Sequence, residues 1–180
     1  MKLIILDRDG VINEDSDDFI KSPDEWLPLP GSLEAIARLT HADYRVVVAT
    51  NQSGIARGLF DSAMLMSIHD KMHHLVAEHG GKIEAVFFCP HGPEDDCDCR
   101  KPKPGMFADI GKRLSVDLEG VPTVGDSLRD LQAGQAAGAT PYLVKTGKGL
   151  RTLNKPEALA GIEVFDDLAA VVDMLLASTD

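Results

Sequence analysis

The chain lacks any surplus of positive charge: 18 lysines and arginines face 29 acids, for a formal net charge of −11 over 180 residues. Non-specific nucleic-acid binding needs a basic face, so no nucleic-acid partner is expected. A long apolar run is missing too. Nothing approaches the roughly 18 residues of a membrane span, so no membrane partner is expected. The apolar stretch Leu3-Ile4-Ile5-Leu6 stops at Asp7, well short of the roughly 7–15 residues of a secretory core. These absences predict a cytoplasmic protein. There is no linker, internal repeat or low-complexity tract, and the length suits one domain over residues 1–180 with one real core. Cysteine is scarce: Cys89, Cys97 and Cys99 are the only three. An odd number in so short a window is a poor disulfide framework and suits metal ligation in a reducing compartment.

The acids that are present gather at the two ends. Residues 1–26 hold eight acids and three bases, and residues 156–180 hold six acids and no base, while the middle is neutral. In the tail, Asp166, Asp167, Asp173 and Asp180 flank an apolar stripe and read as a solvated helix face. In the head, the acids crowd around the end of an apolar run.

Strand and helix patterns alternate. Strands are expected at Lys2–Leu6, Arg45–Ala49, Ile83–Phe88, Val121–Gly125, Thr140–Val144 and Ile162–Phe165. Helices are expected at Ser32–Thr40, Asp61–Gly80, Pro104–Leu114, Leu128–Ala137 and Leu168–Ala177. Apolar strands alternating with helices imply an α/β three-layer sandwich around a parallel sheet covered on both faces. Ligands in such folds bind beyond the carboxyl ends of the strands. The first strand is followed by Asp7-Arg8-Asp9-Gly10, the second by Thr50-Asn51-Gln52-Ser53-Gly54, the third by Cys89-Pro90-His91 and the fourth by Asp126-Ser127. Four polar or metal-binding strand ends mark an active-site rim.

Asp7, Asp9 and Asp126 converge if the first and fourth strands are neighbours, and three carboxylates in one place repel unless a cation binds. Oxygen ligands of this kind suit Mg²⁺ together with a phosphate; the bland alternative is a turn with an Asx cap. Thr50-Asn51 can donate to a phosphate, and Arg100-Lys101-Pro102-Lys103 puts three cations just ahead of a helix. Cys89, His91, Cys97 and Cys99 form a C-x-H-x5-C-x-C set suited to tetrahedral structural Zn²⁺ in a loop over residues 89–99. Such a site would stiffen a loop too short to fold alone and aim Arg100 and Lys101 inward. His69 and His73, four apart on the long helix, read as a surface face.

In order, Asp7-x-Asp9-Gly10, Thr50, Lys101 and Gly125-Asp126-Ser127-Leu128-Arg129-Asp130 resemble the four motifs of the haloacid dehalogenase superfamily across nearly the whole chain. The resemblance implies that Asp7 is a nucleophile forming an aspartyl-phosphate. Asp9 would protonate the leaving oxygen and later activate water. Mg²⁺ would sit on the Asp7 carboxylate, the Asp9 main-chain carbonyl and Asp126, while Thr50 and Lys101 stabilise the phosphoryl group. Asp130 would orient Lys101 or the metal shell. The spacing leaves no room for a large cap domain.

The cysteine loop and the Thr50–Gly58 and Cys99–Pro102 segments are similar to the superfamily's uncapped, zinc-loop sugar-bisphosphate phosphatases. These take a small-molecule sugar phosphate, removing the 7-phosphate of a heptose 1,7-bisphosphate in nucleotide-heptose synthesis for lipopolysaccharide or surface glycans. The resemblance puts substrate contacts at Asp15, Ser16, Asp17, Asp18, Asn51, Gln52, Ser53, Arg100 and Ser127. Histidinol-phosphate phosphatases of the same subgroup are the second reading. A phospho-acceptor signalling domain is a third, although its phosphorylated Asp would follow the third strand, where this chain has Cys89. A monomer is expected.

Overall fold

The computed structural model describes residues 2–178. Six strands form one all-parallel sheet: β1 (Lys2–Leu6), β2 (Tyr44–Asn51), β3 (Ala85–Cys89), β4 (Pro122–Gly125), β5 (Thr140–Val144) and β6 (Glu163–Phe165), in the order β3-β2-β1-β4-β5-β6. The helices are α1 (Ser32–His41), α2 (Ser62–Glu78), α3 (Gly105–Leu114), α4 (Leu128–Ala136), α5 (Gly149–Thr152) and α6 (Leu168–Ala177).

The two-residue period of the strands divides the core. Ile4, Leu6, Val46 and Val48 enter one apolar cluster with residues of α1, α2 and α6. Leu3, Ile5, Val47 and Ala49 enter the other with Met106, Phe107 and Ile110 of α3 and Ala133 of α4. Helices therefore cover both faces, which accounts for strands that read as continuous apolar runs rather than alternating ones.

Chain direction across the sheet reverses at β1. From β1 the chain steps outward through β2 to β3, then returns to β4 on the other side of β1 and steps outward again. Crevices for ligands open at such a switch point. Leu6 pairs with Val124, and the Asp7 N–H donates to the Val124 carbonyl at 2.9 Å, so Asp7 and Asp126 emerge side by side.

Several boundaries shift from the expected ones. Strand β2 continues through Thr50 and Asn51 because these pair with Phe88 and Cys89. Asp61 precedes α2 as its cap, its carboxylate accepting from the Met64 N–H at 2.8 Å. The short α5 and two 3₁₀ turns, Pro23–Glu25 and Pro156–Leu159, are additions. Residues 7–31 contain no α-helix or strand, and the described residues include no large cap domain. They fold back through Glu14 N–H to Leu27 and Leu29 N–H to Ile12, with Trp26 fully buried. Lys71 of α2 pins this segment by donating to the Pro23 and Trp26 carbonyls at 2.7 and 2.8 Å. No helix among the described residues is long and apolar enough to cross a membrane.

Candidate active site

The turn after β1 can form only because residue 10 is glycine. Its φ is +84°, and a Cβ there would collide with the Asp126 carboxylate. This close approach brings Asp7, Asp126 and Asp130 together, with one carboxylate oxygen of each within 4.8 Å of the others. Lys101 is buried among them. Its Nζ lies 3.1 Å from Asp7 Oδ1 and 2.7 Å from Asp130 Oδ1, and donates to the Ala49 carbonyl at 2.8 Å.

One lysine cannot neutralise three acids. Burial, then the neighbouring Asp130, push Asp7 up to about 7 against the pull of Lys101. Burial, then Asp130 and Asp7, raise Asp126 well above the carboxylate range. Burial also works upward on Asp130, but Lys101 and the Ser127 donors outweigh it and hold that carboxyl low. Asp130 is thus committed: Oδ2 accepts from the main-chain N–H groups of Asp126 and Ser127 and from the Ser127 hydroxyl, closing the capping box of α4. Its role is to hold Lys101 and the helix start. The two strained acids, hard oxygen donors on a gap in the local charge, fit a divalent cation such as Mg²⁺.

Asp9 is set apart. Burial pushes its carboxyl up, yet Arg8, Asn13 and Gln52 outweigh burial and bring it below its ordinary value. Arg8 Nε and Nη2 and Asn13 Nδ2 donate to Oδ1 at 3.0, 2.9 and 2.8 Å, and Gln52 Nε2 donates to Oδ2 at 3.1 Å.

Two cavities meet here. The smaller, about 70 Å³, is lined by Asp7, Lys101, Asp126, Ser127 and Asp130. The larger, about 250 Å³, is lined by Ser16, Asp17, Phe19, Gln52, Ser53, Arg57 and Arg100 among others. Asp9, Asp15, Asn51, Arg129 and Lys148 line both. The larger one is rimmed by three arginines, of which Arg57 lies over the Phe19 ring at 5.4 Å.

Most of the expected site residues gather here, with corrections. Asp18 is exposed and outside both cavities; its N–H is taken by the Ser16 hydroxyl. Thr50 lines neither, since its buried hydroxyl accepts from Gln52 Nε2 at 2.9 Å. Asn51 faces the cavities but spends both ends of its amide on the Lys101 main chain, donating to its carbonyl at 3.1 Å and accepting from its N–H at 3.0 Å. Cys89, Cys97 and Cys99 converge into a group able to hold a metal, with Cys89 and Cys97 sulfurs 3.9 Å apart. The expected fourth ligand, His91, is not in that group; the residue is exposed and its carbonyl accepts from Arg100 at 3.3 Å. His69, read as surface, is buried. Arg57, Arg129, Phe19 and Lys148 were not anticipated. Arg57 and Arg129 lie within the very segments quoted above, and a cation at a strand end in an acidic chain was the available signal. Lys148 follows β5, a strand end left unread.

A family described as HAD-hydrolase-like matches residues 98–171. The D-glycero-beta-D-manno-heptose-1,7-bisphosphate 7-phosphatase of Bordetella bronchiseptica is 65% identical over 98% of this chain and 98% of its own. The protein of the same name from Pseudomonas aeruginosa is 60% identical over 97% of each. A crystal structure of the D,D-heptose 1,7-bisphosphate phosphatase of B. bronchiseptica, complexed with magnesium and phosphate, superposes with a TM-score of 0.97 at 64% identity, covering 99% of this chain and 100% of that one. The corresponding Burkholderia thailandensis structure has a TM-score of 0.79 at 53% identity over 98% and 99%. With a switch-point acid cluster, a buried lysine and these relatives along its whole length, the chain belongs to the heptose 1,7-bisphosphate 7-phosphatase family of haloacid dehalogenase-like hydrolases.

Proposed function

We propose that this phosphatase removes the 7-phosphate of D-glycero-β-D-manno-heptose 1,7-bisphosphate, the substrate in its relatives' names, through an aspartyl-phosphate on Asp7. One observation carries the reading: the acid–lysine cavity, which a bound divalent cation would turn into a phosphate seat, shares walls with a second cavity rimmed by Arg57, Arg100 and Arg129. A substrate with phosphates at both ends fits such a pair. Histidinol phosphate would bring an ammonium group to the three guanidinium groups.

Asp7 attacks phosphorus, and the bond from phosphorus to the sugar oxygen breaks. Lys101 holds the phosphoryl oxygens as their charge redistributes. Asp9 delivers a proton to the departing oxygen, then takes one from the water that opens the aspartyl-phosphate. Its four donors favour the carboxylate, so the substrate-free protein holds Asp9 ready as the base. A phosphate ester with a second pKa near 6 can carry the first proton in. Mg²⁺ on Asp7, Asp126 and the Asp9 carbonyl would neutralise charge on the phosphoryl group.

The three thiols are the second metal site, and we assign them to structural Zn²⁺. Burial, then Cys89, push Cys99 up to about 12, and burial raises Cys89. Adjacent thiolates of this kind coexist only around a cation, and sulfur ligands suit zinc among the soft metals.

Purified protein with Mg²⁺ tests the substrate reading. We expect kcat/KM for the heptose 1,7-bisphosphate to exceed that for histidinol phosphate and for a heptose 7-monophosphate by at least tenfold, with Arg129→Ala narrowing the gap to the monophosphate. A preference for histidinol phosphate would overturn it.

A further inference from the structure

Two buried groups take no part in this chemistry: Arg8 and His69. Arg8, in the turn after β1, is completely buried, and so is His69 on α2 apart from 6% of its surface. Arg8 Nη1 lies 3.1 Å from His69 Nε2. Arginine nitrogens only donate, so His69 Nε2 must be the unprotonated nitrogen and the ring proton sits on Nδ1. Burial, then Arg8 and His73, lower His69 to about 3, consistent with a permanently neutral acceptor.

The far side of the same guanidinium explains what this contact does. Nε and Nη2 both donate to Asp9 Oδ1, where Asn13 Nδ2 joins them. Three donors thus occupy Oδ1, whereas Gln52 alone is recorded on Oδ2. The two oxygens of Asp9 are no longer equivalent. Oδ1 is an anchor, and Oδ2 is the atom with lone pairs left for a proton. A guanidinium is a rigid plane, so fixing its third nitrogen fixes the fork that grips Asp9.

We propose that His69 is a positioning residue for Asp9, acting through Arg8: its neutral imidazole locks the guanidinium so that Asp9 presents Oδ2 to the departing oxygen. The proposal rests on Asp9 as the proton donor, so the experiment separates the two. kcat/KM is measured on the heptose bisphosphate, whose sugar oxygen needs a proton to leave, and on p-nitrophenyl phosphate, whose phenolate leaves without one. Asp9→Asn should lose far more on the sugar ester than on the aryl ester. If it loses equally on both, the role of Asp9 fails, and with it the inference.

His69→Leu should show the same split, falling about tenfold to a hundredfold on the sugar ester and less than threefold on the aryl ester. His69→Gln, which restores an acceptor, should stay within about threefold of the parent on both. His69→Met fills the space with only a weakly accepting thioether and carries the test if His69→Leu does not fold. Retained activity in the Leu or Met variant, equal loss on both esters, or a Gln variant as impaired as Leu would each overturn the role of His69 while leaving Asp9 in place.

Discussion

The oxygen cluster at the centre of the sheet and the sulfur cluster beside its edge are both crowds of acidic ligands, but only the first holds a cation in direct contact. Lys101 sits within 3.1 Å of Asp7 and 2.7 Å of Asp130, and Arg8 grips Asp9. Among the described residues no cationic group is in hydrogen-bond or ion-pair contact with a thiol sulfur; the Arg100 guanidinium acts on Cys89 and Cys97 only through space, while it donates to the His91 carbonyl. Lys103 donates to the Cys97 carbonyl at 2.7 Å rather than to sulfur. The supports differ as well. The carboxylates emerge from paired central strands and a capped helix, whereas Cys97 and Cys99 lie on a loop that β3 does not extend into. The centre is therefore preformed and can stand without its metal. On the zinc assignment the loop would depend on its cation for order, since neutral thiols attract one another weakly.

Replacing the nucleophile gives the sharpest test of a preformed centre. Asp7→Asn should cut turnover on the order of 10⁴-fold or more, because covalent catalysis is removed. Yet it should leave thermal stability equal or higher, because burial already disfavours the ionised form of Asp7. Activity near that of the parent would remove Asp7 as nucleophile, and a drop of many degrees in Tm would show the centre not to be self-supporting.

Cys97→Ser probes the other region and should reverse the pattern. We expect native mass spectrometry to show about one zinc per chain in the parent and none in the variant. Proteolysis within residues 90–100 should speed up, and kcat should fall about tenfold, because Arg100 and Lys101 follow directly on the loop. A zinc-free parent, or a variant with an equally protected loop, would erase the contrast between the clusters.

The same contrast governs what could be read in advance. Apolar runs at strand spacing and the capped helices announced the fold, and the strand-end rule located the centre, because these depend on backbone direction and local pattern. Side-chain aim does not. Thr50 and Asn51 stand where a phosphate contact is expected, and their side chains are also engaged by Gln52 and the Lys101 main chain. His91 has the right spacing for a fourth ligand, yet the residue is exposed and does not join the group that the three thiols form. His69 has the spacing of a surface pair and is buried, because the Arg8 side chain, buried beneath the first strand end, requires an acceptor on α2.

That buried histidine supplies the smallest effect and refines the notion of a self-supporting centre. Arg8, His73 and Asp9 act on His69, and burial is the largest influence, so the folded side chain stays neutral to about pH 3. In the unfolded chain it takes a proton near pH 6.5. Between these values the unfolded state binds more protons, so stability contributed by the neutral ring is complete above about 6.5 and is lost as pH falls. The slope is at most about 1.4 kcal/mol per pH unit from this one group. Denaturant unfolding at pH 7, 6 and 5 should show the parent losing stability faster than His69→Gln, which has nothing to titrate at that position. Parallel curves would mean that the imidazole charges within the fold, in which case Arg8 would face a cation and could not be held by it.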